Sequence, residues 1–156
     1  MRGTKAAFYW IISILKKYEI PFQISGGLAA KIYGVRRELA DIDIDVPEEQ
    51  FKEILPKVKN YIIFGPRRYK DADWDLWLMT LCYKGQNIDI AGAHQTKIFN
   101  KNTKQWIRIK TNFSTAEIKE IFGMKVPVIS KKDLIKYKKK LRREVDLTDL
   151  RKLGGV

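Results

Sequence analysis

Ser25-Gly26-Gly27, leading through a short helical stretch to Asp41-Ile42-Asp43-Ile44-Asp45-Val46, is the segment on which the reading of this chain turns. From Leu39 to Val46 the alternation is strict, with Ile42, Ile44 and Val46 on one face and Asp41, Asp43 and Asp45 on the other. That is strand periodicity. Aspartate is a poor strand former, so three in one strand are hard to explain as scaffold. Asp41 and Asp43 project from the same face with Cα atoms roughly 7 Å apart, an unfavourable placement of like charges unless a cation lies between them. Hard carboxylate oxygens suit Mg²⁺ (or Mn²⁺), which fills the rest of its shell with water and substrate phosphates. Just upstream, Phe22 to Ser25 is extended and stops at Gly26-Gly27, after which Leu28 to Tyr33 reads as a short helix closed by Gly34. Such a junction presents bare N–H groups and the positive end of a helix dipole, and glycine lets phosphate oxygens come close. Each feature alone also fits a plain turn or a solvent-facing edge strand; their adjacency points to a metal-nucleotide site.

Working outward, Ala7, Phe8, Ile11, Ile12, Leu15 and Tyr18 recur at helical spacing behind Thr4, a candidate N-cap, and this helix ends before Pro21. Pro47-Glu48-Glu49 opens a helix that buries Phe51, Ile54, Leu55 and Val58. Tyr61 to Phe64 reads as a short strand, and 65–73 as a polar, arginine-containing loop. Trp74 to Tyr83 and Asn87 to Ala91 form a hairpin turned by Lys84-Gly85-Gln86. A polar turn from Asn100 to Lys104 precedes the alternating Trp106 to Ile109. Residues 114–122 fit a helix, through a Ser114/Glu117 capping box, or a hairpin, through Gly123 before Lys125-Val126-Pro127-Val128. Ser130 and Asp133 cap a strongly basic helix reaching Arg143, and Asp146 to Leu153 forms a last short one. The expected class is α/β (α+β), a mixed sheet flanked by helices, in a single domain over 1–156 with a core at 20–128 and a C-terminal helical segment at 130–154.

Asn87-Ile88-Asp89-Ile90 supplies a third carboxylate on a strand between apolar neighbours. Paired beside the first strand, Asp89 joins Asp41 and Asp43 in a site able to hold two metals roughly 3.5–4 Å apart. Taken together, Ser25-Gly26-Gly27, Arg37 and Asp41-Ile42-Asp43-Ile44 resemble the glycine-pair and aspartate-x-aspartate signature of the polymerase-beta-like nucleotidyltransferase superfamily. The run to Pro47 is similar to small antibiotic-modifying adenylyltransferases and to minimal nucleotidyltransferases of the toxin and antitoxin kind. Val126-Pro127-Val128, Ser130, Asp133-Leu134-Ile135 and Lys138 look like the segment closing many small members, and Arg143, Asp146 and Asp149-Leu150 like their tail. Val145 departs from the lysine often found before the first tail aspartate, and Asp45 falls where the family varies. The resemblance implies a nucleotidyltransferase-like fold and transfer of a nucleoside monophosphate from an NTP, ATP included, to a hydroxyl, with release of pyrophosphate. On this pattern Asp41, Asp43 and Asp89 are the catalytic and metal residues, while Ser25, Gly26, Gly27, Arg37 and Lys138 bind the triphosphate. The acceptors it implies are RNA or a tRNA end, a protein hydroxyl of a partner, or a small aminated sugar. The alternative is a catalytically silent RNA- or nucleotide-binding module on the same fold.

Composition agrees with these expectations. The chain has 31 Lys and Arg against 18 Asp and Glu, a net charge of +13, which favours polyanionic partners. Lys131, Lys132, Lys136, Lys138, Lys139, Lys140, Arg142 and Arg143 surround one helix, a possible grip on RNA or simply a solvated surface. No stretch approaches the roughly 18–20 apolar residues of a membrane span. Arg2 and Lys5 before an apolar run lack a cleavage site and read as an amphipathic helix, not a signal peptide. Cys82, the one cysteine, reads as a buried small hydrophobe, consistent with a cytoplasmic protein. His94 reads as a loop residue; Tyr69, Trp74, Trp77 and Trp106 read chiefly as packing aromatics, with base stacking the other use of their rings.

Overall fold

The computed structural model describes residues 2–155; Met1 and Val156, the ends of the expected span, lie outside the described residues. Helix α1 (Thr4–Lys17) leads to β1 (Gln23–Ser25), α2 (Gly26–Ile32), β2 (Ile42–Val46) and α3 (Phe51–Val58). Strands β3 (Ile62–Lys70), β4 (Trp74–Tyr83), β5 (Gln86–Gly92), β6 (Lys97–Asn100) and β7 (Gln105–Arg108) follow. The hairpin β8 (Glu117–Ile121) and β9 (Met124–Val128) then precedes α4 (Lys131–Leu141) and α5 (Glu144–Leu153). The sheet runs β7-β6-β4-β5-β2-β1-β9-β8, with β3 also paired to β4. It is mixed: β2 is parallel to β5 and antiparallel to β1. The α/β class with flanking helices is therefore observed.

Burial explains the central strands. Ile42, Ile44 and Val46 of β2, Ile88 and Ile90 of β5 and Ile24 of β1 face one side. There they join Phe8, Ile11, Ile12 and Leu15 of α1 and Phe51, Ile54 and Val58 of α3 in one core. Each such side chain contributes about 1.5–3 kcal/mol through burial, enough to fix the register of β2. A one-residue slip would bury Asp43 and Asp45 against α1 and expose the isoleucines. The acids are thus committed to the opposite face.

Several local expectations are corrected. Of the segment 65–73 only 71–73 is a loop: β3 continues to Lys70, and register shifts near Phe64 and Arg67 break the alternation that would have revealed it. The segment 114–122 resolves into a single turn at Phe113–Thr115 followed by a hairpin. Phe122 and Gly123 both have positive φ (50° and 82°), the two-residue turn whose twist matches paired strands; Lys84 and Gly85 repeat it between β4 and β5. Thr4 starts α1 but is not its cap; its hydroxyl donates to Gln86 Oε1 at 2.6 Å. Ser130 does cap α4, accepting from Asp133 N at 3.1 Å. Cys82 is half-buried rather than fully enclosed. Among the described residues, no helix is long and apolar enough to cross a membrane.

Candidate active site

Strand registry brings the predicted acids to one place. Ser25 pairs with Asp43, Asp43 with Asp89, and Asp89 with Thr80, so a single row crosses β1, β2, β5 and β4. Asp41 immediately precedes β2. Asp41, Asp43 and Asp89, together with Ser25, Gly26 and Gly27, line a cavity of about 380 Å³. Gly26 (φ 57°) lies against Asp43: a Cβ there would fall 2.1 Å from Asp43 Oδ2, so no other residue fits without displacing that carboxylate. Gly27 N–H points at the same oxygen from 3.4 Å, and Gly26 N–H donates to the Tyr137 hydroxyl at 3.2 Å.

The trio is electrostatically uncomfortable. Burial, reinforced by Asp89 and Asp41, pushes the Asp43 carboxyl up to about 8. Burial also raises Asp41 and Asp89, against a lowering influence from Arg2 on the first and from the Thr80 hydroxyl on the second. That hydroxyl donates to Asp89 Oδ1 at 2.7 Å. Among the described residues, no salt bridge engages any of the three. Next along β2, Asp45 accepts from Gln23 Nε2 at 2.9 Å and Ser25 Oγ at 3.1 Å. Burial lifts it to about 6 despite those donors. It fastens β1 to β2, consistent with its exclusion from the ligand set.

The cations expected at the triphosphate line the same cavity but are already engaged. Lys138 is 1% exposed and lies 3.1 Å from Asp146 and 3.0 Å from Asp149. Arg37 makes a two-pronged contact with Asp149 (both 2.9 Å), and its guanidinium covers Gly27. Arg143 holds Asp146 at 2.7 Å and lies over the Trp74 ring. Although burial opposes it, these partners keep Asp146 and Asp149 below the usual carboxylate range. The basic helix is therefore not uniformly solvated: Lys138 points inward, whereas Lys131, Lys132, Lys136, Lys139 and Arg142 remain exposed.

Sequence reading gave no role to three contributors. Asp149 organises Arg37 and Lys138 together; the spacing of Arg143, Asp146 and Asp149 along α5 was the available signal, since residues three apart share a helix face. Tyr137 stands between α4 and the Gly26 turn, its hydroxyl kept neutral by burial and by Asp45 and Asp43. Thr80 orients Asp89.

Among the described residues, only Glu48, Glu49 and His94 bring three ligand atoms within 4.8 Å of one another; the three aspartates share their cavity at wider separation. Glu48 has a structural occupation, since its carboxylate accepts from the backbone N–H of His94 (2.7 Å) and Gln95 (2.6 Å). Glu48 also packs on Gly92, where a Cβ would strike it at 2.3 Å. His94 is an exposed loop residue, as expected, and Glu48 staples that loop to the start of α3.

The sequence profile of the aminoglycoside-2''-adenylyltransferase family matches residues 8–153. A Thermotoga maritima protein classed as a nucleotidyltransferase superposes with a TM-score of 0.74 at 23% identity, over 97% of this chain and 94% of that one. The lincosamide antibiotic adenylyltransferase LnuA, solved with lincomycin, superposes at 0.64 with 15% identity, over 99% and 97%. ANT(2'')-Ia, solved with adenylyl-2''-tobramycin, superposes at 0.61 with 16% identity, over 96% and 87%. No curated protein sequence matches significantly.

Proposed function

This chain belongs to the aminoglycoside-2''-adenylyltransferase family and is a nucleotidyltransferase; from that premise we propose that it moves a nucleoside monophosphate from a nucleoside triphosphate to a hydroxyl of a small molecule, releasing pyrophosphate. The observation that carries the site assignment is the unpaired aspartate trio. A buried carboxyl raised to about 8 beside two other acids, with no protein cation bonded to any of them, is costly scaffold. It makes physical sense as a receptacle for positive charge.

The donor set fits a divalent cation, because all three groups are hard oxygen ligands and their mutual repulsion would be relieved by one. Asp41, Asp43 and Asp89 would hold Mg²⁺ or Mn²⁺, which when bound supplies charge neutralisation to the phosphates and acidifies the attacking hydroxyl. The chain's own residues do the rest. The Gly26–Gly27 turn brings the backbone against Asp43, and its two N–H groups, which donate to the Tyr137 hydroxyl and to Asp43 Oδ2, would serve phosphate oxygens by exchanging those partners. Asp89, oriented by Thr80 through one oxygen, has its other oxygen available to take the proton of the acceptor hydroxyl. That hydroxyl oxygen forms a bond to the α-phosphorus as the bond to the β-phosphate bridge breaks, and pyrophosphate leaves. Arg37 and Lys138 act from behind. Their charge is fixed by Asp149 and Asp146, so they position the glycine turn and contribute a positive background to the departing phosphates. Trp74 and Tyr69 line the same cavity and offer ring faces to a base.

The test is pyrophosphate release from ATP with Mg²⁺ and fractionated pools of hydroxyl compounds. Wild-type release is expected to depend on both the metal and one pool. Release that persists undiminished in Asp43→Asn would remove the assignment of the trio, and ATP binding with no release from any pool would favour the silent module.

A further inference from the structure

Beside the aspartate cavity lies a second one of about 310 Å³, with Ile109, Thr111, Ile129 and Tyr137 in both walls. Across that boundary the charge pattern inverts. On the aspartate side the cations are paired and the unpaired groups are carboxylates. The annex instead receives Arg108, Lys110, Lys136 and Lys140, and no salt bridge engages any of them among the described residues. Its one acid, Asp133, already accepts from the Thr115 hydroxyl at 2.9 Å. Arg108 is held in place, donating from Nε (3.0 Å) and Nη2 (2.6 Å) to the His94 carbonyl oxygen. Lys136 and Lys140 lie one helical turn apart on α4, a like-charge spacing that weakens a helix unless something neutralises it. Four cations converging from two elements on one concavity are arranged for an anion.

Resting on the transferase reading, we propose that this annex seats the anionic group of the acceptor, a phosphate or carboxylate. The acceptor is then an anionic hydroxyl compound rather than a polycationic amino sugar. An aminoglycoside in this position would set its ammonium groups beside four unpaired cations, with a single carboxylate, Asp133, to receive them. The same oxyanion chemistry could come from the triphosphate tail. Arg37 and Lys138, however, line the aspartate cavity and not the annex, so positive charge for the tail is already present there.

Calorimetric titration separates these sources. Inorganic phosphate, glucose 6-phosphate, tobramycin and ATP are titrated into wild type, into the double variant Lys110→Glu/Lys136→Glu, and into Asp43→Asn. Both substituted lysines are exposed, so folding is not at stake. Wild type is expected to bind glucose 6-phosphate more tightly than tobramycin, and the double variant to lose about tenfold or more of that affinity, with a steep salt dependence. Its ATP affinity should change by less than about twofold, and Asp43→Asn should leave the sugar phosphate titration intact. Equal loss of ATP affinity in the double variant would assign the annex to the triphosphate and overturn the proposal. So would tighter binding of tobramycin, or no binding of either phosphate probe. Failure of the transferase reading shows separately, as unchanged pyrophosphate release in Asp43→Asn.

Discussion

Two groups of aspartates, one lining the cavity and one bonded to the lysine and arginines that line it, live under opposite electrostatic regimes. Asp146 and Asp149 on α5 are each gripped by two cations and are held below the ordinary carboxylate range despite complete burial. Asp41, Asp43 and Asp89 on the sheet lack a salt-bridge partner and are raised. Scaffold acids in this fold arrive with their own counter-charge, while the other three leave a place for one. Lys138 and Arg37 could have served the trio, yet α5 draws them away.

The contrast predicts opposite outcomes for mutations of similar chemistry. Asp43→Asn should lower the rate of pyrophosphate release by about a thousandfold or more, while raising metal-free stability at neutral pH by roughly 1–3 kcal/mol, because it removes an acid that folding buries only by protonating it far above its ordinary range. Chemical denaturation alongside the rate assay reads both; a loss of stability would break the contrast. Gly26→Ala should match it in rate, by pushing Asp43 aside, but without the gain in stability.

Asp149→Ala should cost about 3 kcal/mol, since it leaves half-buried Arg37 without a carboxylate and buried Lys138 with Asp146 alone. Its activity should fall in parallel with the folded fraction. A variant with native melting behaviour would contradict the pairing.

Smaller effects follow in the pH profile. The Asp43 carboxyl is raised from 3.8 to about 8 in the folded protein. Between those values the native state takes up a proton that the unfolded chain does not, so metal-free stability should rise as pH falls from about 8 toward about 4, at no more than about 1.4 kcal/mol per unit. For Asp146 and Asp149 the direction is reversed. Their contribution is complete above the ordinary carboxylate value and is lost as pH drops below it. Thermal melts across this range should therefore show a maximum near the lower end, and Asp43→Asn should flatten only the upper limb. The smallest effect belongs to Asp45→Asn, expected to shift stability by about 1 kcal/mol or less, because an amide oxygen can still accept from Ser25. A large loss of activity there would enlarge the ligand set.

What could be read from the chain divides along the same line. The trio was legible because strand alternation is local: once Ile42, Ile44 and Val46 are buried, Asp41 and Asp43 must face away, and Asp89 follows by the same logic in β5. Ser25 and the glycine pair were legible as a turn meeting that strand. The pairing of α5 with α4 was not. Spacing shows that Asp146 and Asp149 share a face, but only tertiary packing decides that Lys138 turns inward to meet them. A lysine among Lys136, Lys139 and Lys140 carries no mark of its burial. Strand β3 was hidden by its bulges, and the 114–122 ambiguity was decided by the positive φ angles at Phe122 and Gly123, which sterics allow in a two-residue hairpin turn.

The central claim is that the unpaired trio, and not the tighter Glu48, Glu49 and His94 group, is where a divalent cation belongs. Amide NMR spectra recorded during Mn²⁺ titration address it directly, because the ion broadens signals from nearby nuclei. Broadening should centre on Asp41, Asp43, Asp89 and Gly26–Gly27, and disappear in Asp43→Asn. Broadening centred on His94, or unchanged in that variant, would contradict the account.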